Sequence, residues 1–216
     1  MRGLIVIVAA LAALGGCATA PMPGASVQLE TLSPAEQAWH DAITSGDAAL
    51  IESLPAIWSR VLASAKRRSG GAIADEGALL EPDAALDHPE LPPGSYRCRV
   101  VRIGKSAGRR RYVSFPQRFC FVKAEDKGLS FVKQTGSDLP SGYLYADGDR
   151  RYVFLGARQD RPGDVSLGYG VNADRDVAGV VERVGAFRWR LVAPRDGGEA
   201  IDIYELTPVP ADQQPS

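Results

Sequence analysis

The sequence predicts a mainly β fold, an antiparallel up-and-down, calycin-like barrel preceded by an N-terminal α-helical hairpin, and three observations predict it. Between Gly94 and Pro208 a succession of segments rich in Tyr, Val, Phe and Leu is punctuated at short intervals by turn signals such as Lys105-Ser106-Ala107-Gly108, Asp126-Lys127-Gly128, Asp147-Gly148-Asp149 and Arg195-Asp196-Gly197-Gly198. No helical period separates these segments, so the connections read as hairpins and the sheet as antiparallel. Closure of so many hairpin-linked strands into a barrel leaves no edge exposed; an open twisted sheet packed on helices is the alternative. Before Arg67, by contrast, apolar residues recur at three- and four-residue spacing, the period of a helix with one buried face.

In chain order, residues 1–16 read as a lipoprotein signal peptide. Arg2 precedes an apolar run from Leu4 to Leu14, too short for a membrane span, which needs roughly 20 apolar residues. Leu14-Gly15-Gly16-Cys17 resembles the bacterial lipobox. That resemblance implies lipidation of Cys17 as the first mature residue, with palmitate-type acyl chains as a stable anchor. Ala18 rather than Asp after it implies the outer membrane, with the domain facing the periplasm. A plain cut near Ala18-Thr19-Ala20, leaving a free protein, is the alternative. Residues 17–32, small, polar and proline-bearing, read as a flexible tether spanning roughly 20 Å.

Residues 33–66 read as the helical hairpin. Ser33, Pro34 and Glu36 supply cap, first-turn proline and capping box, and Gly46 is expected to stop this helix near Ser45. Asp47 caps a second segment, which Ser53 and Pro55 restart or bend, with Leu50, Leu54, Ile57, Trp58, Val61 and Leu62 on one stripe. That stripe packs on the main domain or on a partner. Residues 67–93 lose periodicity and form a connector or covering strap, in which His88 beside Asp87 reads as a surface residue.

The β domain, 94–208, is read as strands 94–104, 110–123, 128–134, 141–146, 150–156, 164–171, 177–184, 186–193 and 200–207, with a disordered tail at 209–216. In an oxidising compartment Cys98 and Cys120 are expected to form a disulfide, adding about 3 kcal/mol by restricting the unfolded chain. A hairpin turning at 105–108 does not bring these cysteines opposite each other. The second strand must therefore carry extra residues, and Ser114-Phe115-Pro116-Gln117 is where a proline-bearing bulge fits.

Function is less legible. Without residues 1–16 the chain holds 24 Lys and Arg (25 less Arg2) against 26 Asp and Glu, a net charge of about −2 that predicts no nucleic-acid partner. Two histidines, no Gly-x-Ser-x-Gly elbow and two bonded cysteines leave no nucleophilic set, so the protein is read as a non-enzyme without cofactor or metal. Asp147/Asp149 and Asp174/Asp176 are turn residues by the same reading. One feature exceeds background: residues 95–124 carry nine Lys and Arg and no Asp or Glu. Arg97, Arg99, Arg102, Arg109, Arg110 and Arg111 are the candidate residues for an anionic lipid or glycan. The alternative is a solvent face neutralised by carboxylates from other strands. Phe131, Tyr143, Tyr145, Phe154, Tyr169 and Trp189 are expected to face inward, filling the barrel or lining a pocket for a small apolar ligand.

Gly94-Ser95-Tyr96-Arg97-Cys98-Arg99, Cys120-Phe121-Val122, Gly128-Leu129-Ser130-Phe131-Val132-Lys133, Gly142-Tyr143-Leu144-Tyr145, Val153-Phe154-Leu155-Gly156 and Ala178-Gly179-Val180-Val181 through Trp189-Arg190-Leu191-Val192 together resemble the domain of unknown function 4893 family, over most of residues 30–208. The resemblance implies a small exported Gram-negative lipoprotein and supplies no activity and no functional residues. A looser likeness, to small periplasmic barrel inhibitors of secreted metalloproteases, rests on the disulfide near the first hairpin and the strand-rich body. The expectation is a lipid-anchored envelope protein that binds a small apolar ligand or an anionic envelope component, with enzyme inhibition or a structural envelope role as alternatives.

Overall fold

The computed structural model describes residues 34–105, 112–126 and 128–213; Cys17, the tether, the Ser33 cap, Arg109, Arg110 and Arg111 lie outside the described residues. Three helices, rather than two, open the described chain: α1 (Pro34–Ala42), α2 (Ser45–Glu52) and α3 (Leu54–Asp75). Gly46 does not end a helix but lies in the first turn of α2, because Thr44 is the cap: its hydroxyl accepts from the Asp47 amide at 3.2 Å. Helix α3 bends at Ser69 (φ −135°, ψ 31°) and continues well past residue 66. Buried Ile73 gives that extension a core contact that the Arg67-Arg68-Ser69-Gly70-Gly71 stretch conceals in the sequence.

The barrel follows: β1 (Gly94–Gly104), β2 (Tyr112–Ser114), β3 (Arg118–Glu125), β4 (Gly128–Lys133), β5 (Leu139–Asp147), β6 (Arg151–Gln159), β7 (Asp176–Gly185), β8 (Arg188–Arg195) and β9 (Ala200–Pro208). Every pairing is antiparallel between neighbours, and β1 also pairs with β9 from Tyr96↔Pro208 to Gly104↔Ala200, which closes the sheet. β2 and β3 are two halves of one barrel strand broken at Phe115–Gln117, so the nine segments make an eight-stranded barrel. Val101 faces Ser114 while Cys98 faces Arg118, so four steps on the second strand match three on the first, a one-residue bulge at Pro116. The Cys98–Cys120 disulfide (Cα–Cα 5.8 Å) spans the remaining offset diagonally, since Cys120 itself faces Tyr96.

Residues 164–171 form no strand. They belong to a loop between β6 and β7 in which Gly163, Gly168 and Gly170 take positive φ (86°, 83° and 82°), which reverses the chain where a strand would extend it. Val165, Leu167 and Val171 are exposed there.

Strand alternation sorts the apolar residues into two cores. Tyr96, Cys98, Cys120, Phe131, Phe154, Trp189, Leu191, Tyr204 and Leu206 fill the barrel interior. Val101, Ile103, Val153, Leu155, Val180, Val192, Ile201 and Ile203 point outward and are covered by Trp39, Ile51, Leu54, Ile57, Trp58, Val61, Leu62 and Ile73 of the helices. The stripe predicted for the helices thus packs on the barrel wall.

The connector beyond Asp75 is a strap. Arg190, fully buried on the outer wall, stacks on Trp58 (4.4 Å) and donates to the carbonyls of Ala78, Leu79, Glu81 and Pro82 at 2.6–3.1 Å. The strap then brings Leu91 into the interior cluster, where the Trp189 indole donates to Pro89 O (3.0 Å) and the Tyr96 hydroxyl to Pro92 O (2.6 Å). His88 is exposed, as the sequence predicts. Beyond the barrel the tail is ordered at its start: Val209 is buried and its amide donates to Ser95 O at 2.9 Å.

Candidate functional site

The alternation that places Arg97 and Arg99 on the outer wall places Arg102, which shares the parity of Tyr96, Cys98 and Val100, inside the barrel. Of the candidates within the described residues, Arg97 and Arg99 thus lie on the opposite face from Arg102. Arg97 is exposed and donates to Gln213 (2.7 Å). Arg99 is held by Glu76 (2.5 Å) of the strap and Glu205 (2.7 Å) of β9, carboxylates that residues 95–124 lack. This pairing is the neutralised-face alternative, at Arg99 at least.

Arg102 instead joins a ring of charge in one mouth of the barrel. Its Nη2 donates to Asp202 Oδ2 at 2.8 Å and to Asp138 Oδ2 at 3.1 Å. Arg195, from the end of β8, contacts the same two carboxylates at 3.0 and 3.3 Å, and Arg158 of β6 approaches Asp138 at 3.7 Å. Lys133, at the end of β4, is buried and donates to the carbonyls of Ser137 and Asp138. Arg118, at the start of β3, is exposed and lies across Gly136, whose positive φ (91°) and missing Cβ make room for it; an added Cβ would stand 3.1 Å from the Arg118 Nε.

Among the described residues, three arginines thus share Asp138 and Asp202, with Lys133 and Arg118 beside them. Beside them lies a small pocket of about 80 Å³ with Arg102, Arg118, Lys133, Ser137 and Asp138 on its polar side and Val100, Phe115 and Pro116 on its apolar side. The Arg102 guanidinium sits 5.3 Å from the Phe115 ring centre, over its face. Burial alone would raise the Asp138 carboxyl, but Arg195 and Arg102 outweigh it and hold it below its ordinary range. Burial pushes the Lys133 ammonium below its ordinary value, with Asp138 opposing and Arg118 adding to the shift. The mouth is therefore short of negative charge, and an anion entering it would relieve that.

Of the aromatic residues expected to face inward, Phe131, Phe154 and Trp189 do, and together with Tyr96 and Tyr204 they pack the interior. Tyr143 and Tyr145 fall on the opposite strand face and line an outer cleft, and Tyr169 belongs to the β6–β7 loop. Gly142 and Leu144 take the inner-face positions of β5, which puts Tyr143 and Tyr145 on the outer face. Among the described residues, no three of His, Cys, Asp and Glu are grouped to hold a metal ion, and no helix is long and apolar enough to cross a membrane.

Fold and mouth together define a closed, antiparallel up-and-down β-barrel domain with a helical buttress and one charged end. The chain belongs to the family described as "Domain of unknown function (DUF4893)", whose model matches residues 39–206. No curated protein and no solved structure matches it.

Proposed function

We propose that this protein is a lipid-anchored domain of the bacterial cell envelope that acts by binding, rather than by catalysis, and takes the anionic group of an envelope component into the barrel mouth. The observation that carries this is a pocket of about 80 Å³ bordered by Arg102, Arg118 and Lys133 and, among the described residues, by the single carboxylate of Asp138, which Arg158 and Arg195 also reach. Guanidinium forks suit a phosphate or carboxylate, and the pocket admits a headgroup rather than a whole ligand. Arg118, exposed at the rim, meets the anion first. The Leu14-Gly15-Gly16-Cys17 sequence supports the anchor and the envelope setting.

The test is calorimetric titration of the full chain with inorganic phosphate, with glucuronate, and with phosphatidylglycerol vesicles against phosphatidylcholine vesicles. Binding of one of these anions should weaken as salt rises. Arg118→Ala should weaken it roughly tenfold or more, given the ~1.5–3 kcal/mol of a hydrogen bond to a charged group. Asp138→Asn should strengthen it, because a competing carboxylate goes while asparagine tolerates the local φ of 50°. Failure of all three anions to bind, or binding that ignores both substitutions, refutes the reading.

A further inference from the structure

A second concavity lies on the outer wall, away from the barrel interior. It is a cleft of about 570 Å³ whose floor is the outward face of β3, β4 and β5 and whose rim is the β6–β7 loop, with Ala42 of α1 at one side. Its size falls within the roughly 300–1,000 Å³ of small-ligand sites. Besides the buried Phe131, four aromatic residues border it, Phe121, Tyr143, Tyr145 and Tyr169, and each of these is half-buried, leaving part of its surface open to a ligand. Tyr169 is fixed from the far side: its hydroxyl donates to Asp47 (2.5 Å) and accepts from the Thr44 amide (3.1 Å).

The charged groups of the lining are collected at one end. Glu125 accepts from Ser130 (3.0 Å) and Tyr143 (3.3 Å) and lies 3.6 Å from Lys123, an acceptor and a cation held together by neighbouring hydroxyls. The charges of that pair cancel, in contrast to the barrel mouth. The rim ends in Val165, 90% exposed beside the opening, on a loop with glycines at 163, 168 and 170.

We infer that this cleft is a binding site for a neutral oligosaccharide. Open tyrosine faces suit the C–H faces of sugar rings, in keeping with the electron-rich face of an aromatic ring. A charge-balanced set of carboxylate, ammonium and hydroxyls suits sugar hydroxyls, which both donate and accept. An acyl chain would leave Glu125, Ser130 and Lys123 without partners on the ligand side, and a charged ligand finds no net opposite charge here.

The experiment is saturation-transfer NMR and calorimetry on the full chain with cello-, malto- and chito-oligosaccharides, with laurate as the apolar comparison. One oligosaccharide series should bind, more tightly as the chain lengthens, with little dependence on salt. Tyr143→Ala should weaken it about tenfold while circular dichroism shows the fold retained, and Val165→Asp at the rim should weaken it as well. The inference is overturned if no oligosaccharide binds at millimolar concentration, if binding ignores both substitutions, or if laurate binds and these substitutions abolish that binding instead.

Discussion

Arg190 fastens the strap to the barrel, and its replacement by Met isolates that role. The side chain is fully buried; it pairs with Glu182 at 2.7 Å and holds four strap carbonyls. Methionine keeps the apolar contact with Trp58 and removes every polar one. Removing one partner of a buried pair costs about 3–5 kcal/mol. The four carbonyls add less than their number suggests, because a released strap turns them to water and trades the unpaired-group penalty for lost order. For a domain of this size, at roughly 2–4 °C per kcal/mol, the melting temperature should fall by about 6–20 °C. Arg190→Lys keeps the charge but cannot supply the planar fork and should recover only part of the loss. Urea unfolding followed by circular dichroism measures the cost. Hydrogen exchange locates it, because the Leu86 and His88 amides, bonded to Arg183 O and Asp149 O, should lose protection before the barrel does. A loss below about 1 kcal/mol, against the ~3–5 kcal/mol expected, or unchanged exchange over residues 77–93, refutes the fastening argument.

Replacing Cys98 and Cys120 together by Ala should lower stability by about 3 kcal/mol without changing the fold, since the loop they close contains the first hairpin; equal urea midpoints for the two proteins would contradict this. Acid should destabilise the protein through Asp138 and Glu76, whose carboxyls lie below their ordinary values: burial opposes this in both, and Arg195 and Arg102 for the first, Arg99 and Tyr112 for the second, overcome it. With folded values depressed, their contribution is complete above the ordinary carboxyl range near pH 4 and is lost as pH falls through the depressed values. Urea midpoints from pH 7 down to 2.5 should therefore fall at the acid end, and a flat profile would refute it.

The strands were legible where a turn signal met a two-residue alternation, as from Gly94 to Gly104 and Ala200 to Pro208. Residues 164–171 misled because Val165, Leu167 and Val171 imitate a strand, while the glycines between them carry the information that decides against it. The path of the strap was hidden, since its anchor is an arginine more than a hundred residues away and backbone carbonyls have no sequence signature. The mouth was half visible. Its members sit on six different elements, so no local run announces them. Parity does, however: Arg102 continues Tyr96, Cys98 and Val100, Lys133 continues Phe131, Arg195 continues Trp189, Leu191 and Ala193, and Asp202 continues into Tyr204 and Leu206. A charge on the inner face of a strand marks a barrel end as surely as an aromatic marks its middle.

The pairing of β1 with β9 sets the order of events in this chain's synthesis. The first barrel strand finds one of its two neighbours only when residues 200–208 have been made, about a hundred residues later. Until then Gly94–Gly104 and Arg188–Arg195 present open edges, which in a crowded compartment are templates for pairing with other chains. The helices α1–α3, made first, have a stripe to bury before the wall that receives it is complete. A chain that ends before Ala200 is left with a sheet and not a barrel.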